Sequence, residues 1–284
     1  MALELIYITN DPAVARIAEK NGVDYVMVDL ETLGKEDRQR DMNTVKSNHT
    51  VDDISRIAGV LSKSELLVRV NPWNEGSVEE INEVISRGAD IIMLPMWKTV
   101  AEVDAFLSAI DGRAHSILLL ETKEAAECVD LVLEDSRVEK VHIGLNDLHL
   151  SYGMTFMFEP LSLGIVDELC QKCKRKGIQY GFGGIARIGE GMLPADKIIM
   201  EHYRLGSTIA ILSRSFCNAT AIPEIGEIES IFSKHMSVLR HFEGTLANTD
   251  DHAYLSNRNE VVECVEKIVK SIKDKRKCRE MQNA

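Results

Sequence analysis

The chain alternates short, continuous apolar runs with longer segments in which apolar residues recur at helical spacing. Eight apolar runs predict β-strands, at residues 6–9, 25–29, 66–70, 91–94, 116–120, 141–144, 180–184 and 208–212. The segments between them are typical of amphipathic helices, and Asp11-Pro12 and Thr50 provide N-terminal capping signals. Because the runs are apolar on both faces, they indicate a parallel sheet that helices cover.

Regular alternation of strands and helices builds either an open doubly wound sheet or a closed barrel. Eight repeats favour the closed form, a (β/α)₈ TIM barrel. After Phe242 the pattern changes to a polar stretch, and an amphipathic helix follows over residues 258–272. We therefore predict a barrel over residues 1–242 and a C-terminal helical tail over residues 243–284, which packs on the barrel or on a neighbouring subunit.

Composition and charge argue against several classes of function. The 284 residues carry a net charge of −12, and nucleic-acid binding needs clustered lysines and arginines, so we expect no nucleic-acid partner. No stretch approaches the roughly 20 apolar residues of a membrane helix, and the N-terminus lacks the pattern of a signal peptide. The six cysteines are too sparse for a disulfide scaffold. We expect a cytoplasmic protein with no membrane partner.

Active sites of such barrels lie at the C-terminal ends of the strands. The polar residues directly after the apolar runs include Asp29, Glu31, Glu121 and Asp147, and Arg69 lies at the end of the third run. Acids gathered at one barrel mouth repel one another without a cation, and hard oxygen ligands suit Mg²⁺ or Mn²⁺. The guanidinium of Arg69 matches a substrate carboxylate. The alternative is that these acids cap helices or pair with lysines.

Five segments resemble the HpcH/HpaI aldolase/citrate lyase family, which includes the metal-dependent class II 2-keto-3-deoxy acid aldolases. They are Val-Asp-Leu-Glu at 28–31, Leu-Val-Arg-Val-Asn at 67–71, Gly-Ala-Asp-Ile-Ile-Met-Leu-Pro-Met at 88–96, Leu-Leu-Glu-Thr-Lys-Glu-Ala at 119–125 and Ile-Gly-Leu-Asn-Asp-Leu at 143–148. Each segment is short, but all five occur in the right order on the right strands. The resemblance covers about residues 4 to 214, nearly the whole barrel.

The resemblance implies a divalent metal, Mg²⁺ or Mn²⁺, on Glu121 and Asp147. It also implies that Arg69 holds the carboxylate and keto oxygen of a 2-keto acid such as pyruvate. In that chemistry a metal acts as a Lewis acid for the enolate that forms when a carbon–carbon bond breaks or forms, and Arg69 adds positive charge. The second substrate is then an aldehyde, which the sequence does not identify.

Further positions follow from the same resemblance. The backbone near Gly144 and Asn146 matches the loop that receives the substrate carboxylate. Asp29 and Glu31 match the acidic residues at the end of the second strand, which we predict to be catalytic together with Arg69. Many relatives are trimers or hexamers, which implies a homo-oligomer.

One position departs from the aldolase branch, which carries a proton-transferring histidine directly after the acid matching Glu31. Thr32 stands there, and the Asp-Leu-Glu string looks more like the citrate lyase branch. The general base is therefore open. His49 is a candidate catalytic residue because its loop is able to cover the barrel mouth, and Arg38 and Arg40 in the same long loop are candidates for a second substrate anion.

Three functions remain open at this stage. The first is a metal-dependent carbon–carbon lyase, or aldolase, that acts next to a 2-keto acid. The second is a CoA-ester lyase of the citryl or malyl type, which would need a basic groove for the CoA phosphates. The third is a non-catalytic barrel that retains its metal and acts as a binding or scaffold subunit.

Overall fold

Eight parallel strands close into a barrel in the computed structural model, which describes residues 2–34 and 48–283. The strands are β1 (Glu4–Ile8), β2 (Tyr25–Asp29), β3 (Glu65–Arg69), β4 (Ile91–Leu94), β5 (His115–Leu120), β6 (Lys140–Ile143), β7 (Gln179–Ile185) and β8 (Ile209–Leu212). Each strand pairs with the next, and β8 pairs with β1 through Ala210 and Leu5. The predicted (β/α)₈ barrel with C-terminal helices is confirmed.

The described helices surround this barrel. They are α1 (Pro12–Lys20), α2 (Val51–Ala58), α3 (Ser77–Ser86), α4 (Val100–Ile110), α5 (Lys123–Val132), α6 (Leu145–Ser151), α7 (Glu159–Ser162), α8 (Ile165–Lys176), α9 (Ala195–Leu205), α10 (Ile225–Leu246) and α11 (Asp251–Asn283), with a 3₁₀ turn at Ala219–Ala221. The described helices include none that is long and apolar enough to cross a membrane.

Local chemistry explains where several helices begin. The carboxylate of Asp11 accepts the backbone N–H groups of Ala13 and Val14, and Pro12 occupies the first helical position of α1. At the start of α2, Asp53 accepts the backbone N–H of Thr50 at 2.8 Å. Both predicted starts are confirmed, because these side chains take up amides that have no acceptor within the helix.

Side chains of the strands alternate between two apolar layers. One cluster faces the barrel axis and contains Ile6, Tyr25, Met27, Leu67, Ile91, Met93, Ile117, Leu119 and Ile209. Their neighbours in sequence, such as Val26 and Leu118, face outward and pack against the helices. The sheet is therefore apolar on both faces, as the continuous runs predicted.

A polar cluster fills the barrel at the end where its strands begin. The ammonium of Lys140 donates to the hydroxyl of Tyr25 at 2.7 Å, and that hydroxyl donates to the carboxylate of Glu4. These three residues are the first residues of β6, β2 and β1. The cluster occupies the barrel interior at this end, and a cavity opens at the opposite, C-terminal end of the strands.

The C-terminal tail packs on the barrel. In α11, the amide of Asn257 donates to Glu201 at 3.0 Å, and Arg258 donates to the carbonyl oxygens of Leu161 and Ser162 at 2.8 and 3.0 Å. Helix α10 continues past residue 242 to Leu246, and α11 begins at Asp251, before the predicted helix start at residue 258. The division of the chain at residue 242 stays a prediction.

Two fully buried histidines make the fold sensitive to acid. Nε2 of His142, inside the barrel, lies 3.1 Å from the carbonyl oxygen of Gly183, and His202 stacks on Phe182 at 3.8 Å. Burial lowers the pKa of His142 to about 4, and burial together with nearby His142 lowers the pKa of His202 to about 3. Both histidines are therefore neutral at pH 7, and protonation penalises the folded state.

We expect the substitution His142→Gln to reduce this acid sensitivity. The pKa of His142 is lower in the folded than in the unfolded chain. The neutral form of His142 therefore contributes stability that is present above pH 6.5 and is lost as the pH falls towards 4. The free energy of unfolding should fall between pH 7 and pH 4 by about 3 kcal/mol more in the unaltered protein than in the variant. Urea unfolding at both pH values measures this difference.

The matched control is His115→Gln, because His115 is exposed at the start of β5. This variant should follow the pH dependence of the unaltered protein. An identical loss of stability in the His142→Gln variant would show that His142 is not the residue whose protonation weakens the fold.

Candidate active site

A cavity of about 650 Å³ opens at the C-terminal ends of the strands. Its lining includes Asp29, His49, Arg69, Glu121, Asn146 and Asp147. Parallel strands of a barrel all end at the same rim, so residues far apart in sequence converge there. Gly144 lines it as well, so seven of the eight predicted site residues meet at one cavity, and Glu31 is not among its lining residues.

Arg69 is held by Asp29, the last residue of β2, and by Glu31, two residues further along the chain. Its Nε and Nη2 atoms donate to the two carboxylate oxygens of Asp29, each at 2.8 Å, and its Nη1 lies 3.3 Å from Oε2 of Glu31. Asp29 and Glu31 are both buried. Such a two-point bond fixes the plane of the guanidinium. The other N–H groups of Nη1 and Nη2 are the ones with which Arg69 would bind a substrate.

This arrangement keeps Arg69 positively charged. Burial alone would lower the pKa of Arg69, but the charge and hydrogen bonds of Asp29, and then the charges of Glu31 and Glu121, raise it above its ordinary value. In the structure, Asp29 and Glu31 form ion pairs with Arg69. Their predicted direct catalytic role stays a prediction.

Glu121 is buried at the end of β5, with 3% of its surface exposed. Its Oε1 accepts the backbone N–H of Met96 at 3.1 Å, and Met96 has a left-handed backbone with φ of 55°. Gly144 packs directly against it, because a Cβ atom at Gly144 would lie 2.7 Å from Oε2 of Glu121. A side chain at residue 144 would therefore displace the carboxylate.

The pKa of Glu121 lies well above its ordinary value. The largest cause is burial, and the next is the negative charge of Asp147. The positive charge of Arg69 lowers the pKa of Glu121, and the negative charge of Glu31 raises it. The two acids line the same cavity, and the charge of Asp147 disfavours the ionised form of Glu121. A divalent cation between them would replace this repulsion with attraction.

Asp147 lies in the first turn of α6, next to Asn146. The structure has two short helices, α6 and α7, between β6 and α8. The helix forms because Leu145 and Leu148 bury one face of the turn. Amides in the first turn of a helix have no acceptor within that helix, which suits the predicted binding of a carboxylate near Gly144 and Asn146.

Glu121 and Asp147 fit a magnesium-type site by their chemistry. Hard carboxylate oxygens suit Mg²⁺ and Mn²⁺, and magnesium commonly takes one or two carboxylates and completes its shell with water and substrate. Within residues 2–34 and 48–283, no group of three or more cysteine, histidine, aspartate or glutamate side chains is arranged to hold a metal. Glu121 and Asp147 are the two carboxylates that would hold such a metal.

His49 lies directly before α2 and lines the cavity. Its Nδ1 accepts the backbone N–H of Asp29 at 3.0 Å. Arg38 and Arg40, the candidates for a second substrate anion, lie outside the described residues. At the start of the same loop, the side-chain oxygen of Asn71 accepts the backbone N–H groups of Thr32 and Leu33 at 2.9 and 3.0 Å, which fixes the chain just after Glu31.

The sequence did not predict two parts of the site. Asn10, after β1, lines the cavity, and His142 lines it from within the barrel. The position of Asn10 directly beyond the first apolar run was a usable signal. His142 lies inside its run, and the sequence alone does not say to which face of the sheet its side chain points.

Comparisons with known proteins identify the family of this chain. The model of the family described as HpcH/HpaI aldolase/citrate lyase matches residues 5–181. No curated protein sequence matches the chain significantly.

Three solved structures are similar in fold. An HpcH/HpaI aldolase from Desulfitobacterium hafniense DCB-2 has a TM-score of 0.61 at 16% identity, over 81% of this chain and 93% of that one. An aldolase/citrate lyase family protein from Burkholderia cenocepacia J2315 has a TM-score of 0.62 at 13% identity, over 80% and 94%. RipC from Yersinia pestis has a TM-score of 0.53 at 16% identity, over 81% and 94%.

At such low identity these structures establish the fold alone. The family model, in contrast, matches the chain from β1 through β6 and into the start of β7, and the matched range includes Asp29, Arg69, Glu121 and Asp147. The chain therefore belongs to the HpcH/HpaI aldolase/citrate lyase family.

Proposed function

We propose that this protein is a metal-dependent carbon–carbon lyase of the aldolase type, which cleaves or forms a bond next to a 2-keto acid through a pyruvate-type enolate. The observation that carries the proposal is the pairing of two mutually repelling acids, Glu121 and Asp147, with a fixed cation, Arg69, in one cavity. Membership of an aldolase/lyase family supports the reaction class.

Arg69 and its two acidic partners have separate roles in the proposed reaction. Arg69, held in one plane by Asp29, places its remaining N–H groups against an anionic oxygen of the keto acid, where negative charge grows as the enolate forms. Fixed donors of this kind lose little energy to reorganisation during the reaction. Glu31 keeps Arg69 charged and in place.

The first turn of α6 supplies the other half of the keto-acid site. Backbone amides near Gly144 and Asn146 are proposed to bind the substrate carboxylate. The family is generally dependent on a divalent metal, and Glu121 and Asp147 are the residues that would hold Mg²⁺ or Mn²⁺. Such a cation would supply Lewis-acid stabilisation of the enolate charge.

Two alternatives remain as predictions. A CoA-ester lyase would use the same keto-acid pocket chemistry but needs a site for the CoA phosphates, and the family description includes citrate lyase. A scaffold subunit would retain the metal without turnover. The predicted aldehyde partner, homo-oligomeric state and cytoplasmic location likewise remain predictions.

The test is exchange of the methyl protons of pyruvate with solvent deuterium, followed by proton NMR with the metal-stripped protein. We expect slow exchange on addition of Mg²⁺ or Mn²⁺ and none without metal, because only the enolate exposes that carbon to solvent protons. Isothermal titration should show that pyruvate binding also needs the metal. Metal binding without any exchange would favour the scaffold subunit and overturn the proposal.

A further inference from the structure

The loop after β8 brings a cation without a protein partner to the cavity. Arg214 is the second residue after this strand, is exposed, and lines the cavity. Among residues 2–34 and 48–283, no ion pair or hydrogen bond involves its guanidinium. Another arginine of the lining, Arg69, is in contrast bound by Asp29 and Glu31. Arg214 therefore keeps its full set of N–H donors for a ligand.

Two neighbouring side chains of the same loop provide further donors. Ser213 and Asn218 also line the cavity. The hydroxyl of Thr220 donates to Oδ1 of Asn218 at 2.9 Å, so Nδ2 is the donor end of this amide. In the part of the chain that the structure describes, neither Nδ2 of Asn218 nor the hydroxyl of Ser213 has a hydrogen-bond partner. The loop thus presents a guanidinium, an amide and a hydroxyl to one cavity.

The backbone of this loop is held in place by contacts from other strands. Phe216 and Cys217 are buried, each with 1% of its surface exposed. Nε of Arg187 donates to the carbonyl oxygen of Phe216 at 2.7 Å, and the hydroxyl of Tyr7 donates to the carbonyl oxygen of Cys217 at 3.1 Å. Because the backbone is already fixed, ordering Arg214 around a ligand costs less conformational entropy.

The space inside the cavity extends from the acids to this loop. The described carboxylates of the lining come from the ends of β2, β5 and β6, and none comes from β1, β7 or β8. Gly183 and Gly184 of β7 lie between β6 and β8 in the sheet and place no side chain in this space. A volume of about 650 Å³ is in the range that holds ligands much larger than pyruvate. The cavity therefore has room for a second substrate whose far end lies at the β8 loop.

We propose that Ser213, Arg214 and Asn218 bind the phosphate group of a phosphorylated aldehyde, which is the second substrate. The inference rests on the proposed aldolase function and adds the chemical class of the acceptor. Three separate donor side chains match the three terminal oxygens of a phosphate ester, whereas the fork of one guanidinium already satisfies both oxygens of a carboxylate. Loops after the seventh and eighth strands are also a frequent location of phosphate sites in (β/α)₈ barrels.

The first experiment measures phosphate binding without turnover. Glycerol 3-phosphate, an unreactive phosphate ester, is titrated into the metal-free, full-length protein in a calorimeter. We expect saturable binding, and Arg214→Gln should weaken it about 10-fold or more because the variant lacks a charged donor. Since Arg214 is exposed, this substitution should leave the fold intact. Equal affinity in the variant and in the unaltered protein would overturn the proposal.

Arg16→Gln is the matched control for this titration. Arg16 is exposed on α1 and, like Arg214, has no hydrogen bond or ion pair in the described part of the chain. It does not line the cavity. This variant should bind glycerol 3-phosphate as tightly as the unaltered protein, and a loss equal to that of Arg214→Gln would show that binding reflects surface charge alone.

The second experiment compares two acceptors in the presence of Mn²⁺, glyceraldehyde 3-phosphate and glyceraldehyde, with pyruvate as the other substrate. The unaltered protein should prefer the phosphorylated aldehyde by about 10-fold or more in kcat/KM. Arg214→Gln should abolish this preference, and Arg214→Lys should retain part of it, because lysine keeps the charge but loses the planar fork. A preference that survives Arg214→Gln would contradict the role of Arg214.

Two other anions test the assignment to a phosphorylated aldehyde. If Arg214→Gln lowers kcat/KM for succinic semialdehyde as strongly as for glyceraldehyde 3-phosphate, the loop binds a carboxylate, and the assignment to phosphate is wrong. If acetyl-CoA displaces glycerol 3-phosphate at lower concentration than glyceraldehyde 3-phosphate does, the phosphate belongs to a CoA ester, and the assignment to an aldehyde is wrong.

The titration and the exchange of pyruvate methyl protons separate this inference from the proposed function. If Arg214→Gln binds glycerol 3-phosphate as well as the unaltered protein does, the phosphate site is wrong, while the aldolase function still rests on proton exchange. If exchange is absent with metal present, the aldolase function fails. The titration then still decides whether Arg214 binds phosphate, because it needs neither metal nor turnover.

Discussion

Replacement of Glu121 by glutamine is expected to abolish the metal-dependent chemistry and to leave the fold intact. The substitution removes one of two anionic ligands, so the affinity for Mn²⁺ should fall about 100-fold or more, and pyruvate proton exchange about 1,000-fold, since such a cation contributes several kcal/mol. Titration of Mn²⁺ into the metal-free protein measures the first effect without reference to activity.

The stability of this variant should move in the opposite direction. Burial and the charge of Asp147 raise the pKa of Glu121, so the metal-free protein carries an acid whose ionised form is disfavoured. A neutral amide of the same shape relieves that cost, and the free energy of unfolding of the metal-free variant should equal or exceed that of the unaltered protein. Functional sites often show this opposition between stability and activity.

Glu124→Gln is the matched control, because Glu124 is exposed in the first turn of α5, close in sequence to Glu121. It should retain metal affinity and exchange. Asp147→Asn should repeat the effect of Glu121→Gln on Mn²⁺ binding. Full Mn²⁺ affinity in both Glu121→Gln and Asp147→Asn would remove these residues from the proposed metal site.

Replacement of Arg69 by methionine is expected to affect both stability and function. Asp29 and Glu31 are buried, and Arg69 is their shared cation at 2.8 and 3.3 Å. Removing one partner of a buried ion pair leaves an uncompensated charge, which typically costs about 3–5 kcal/mol. Urea unfolding should show a loss of this size, and pyruvate exchange should fall about 100-fold or more with the lost donor.

Two further variants separate charge from geometry. Arg69→Lys keeps the positive charge but loses the two-point bond to Asp29, so it should recover most of the stability and little of the exchange rate. In the Arg69→Met background, Asp29→Asn removes one buried charge and should restore part of the stability. Arg87→Met, which breaks only a surface pair with Asp52 and Glu83, serves as control and should have a small effect.

A different pattern of results would argue against this account of Arg69. If Arg69→Lys exchanges pyruvate protons as fast as the unaltered protein, only the charge matters, and the fixed plane of the guanidinium has no catalytic role. If Arg69→Met is as stable as the unaltered protein, the acids of the β2 end are not held by this ion pair.

Much of the architecture was predictable because it depends on local pattern. Runs such as 91–94 and 209–212 are too apolar to face water on either side, and eight of them alternate with amphipathic segments. This requires a parallel sheet covered by helices, and the number of repeats favours closure. The same pattern locates Glu121 and Asp147 directly beyond the fifth and sixth runs, and strand ends in a closed barrel share one rim.

Short-range pattern was insufficient where burial by distant residues decides the conformation. The segment directly after β6 is too short to show a helical repeat of its own, yet Leu145 and Leu148 are buried and the segment forms α6. Helix α11 likewise begins at Asp251, before the apolar repeat, because contacts such as that between Asn257 and Glu201 stabilise polar turns.

The sequence by itself determined the barrel, the family and the set of acids and the arginine at the rim, since these depend on periodicity and on order along the chain. Only the tertiary structure decided which groups of the protein those residues contact. The structure joins positions on different strands or loops in three contacts: the two-point bond of Asp29 to Arg69, the packing of Gly144 against Glu121, and the hydrogen bond from the backbone of Asp29 to His49. Hydrogen bonds of this kind depend on distances of a few tenths of an ångström, which strand register and loop closure set and which no local pattern encodes.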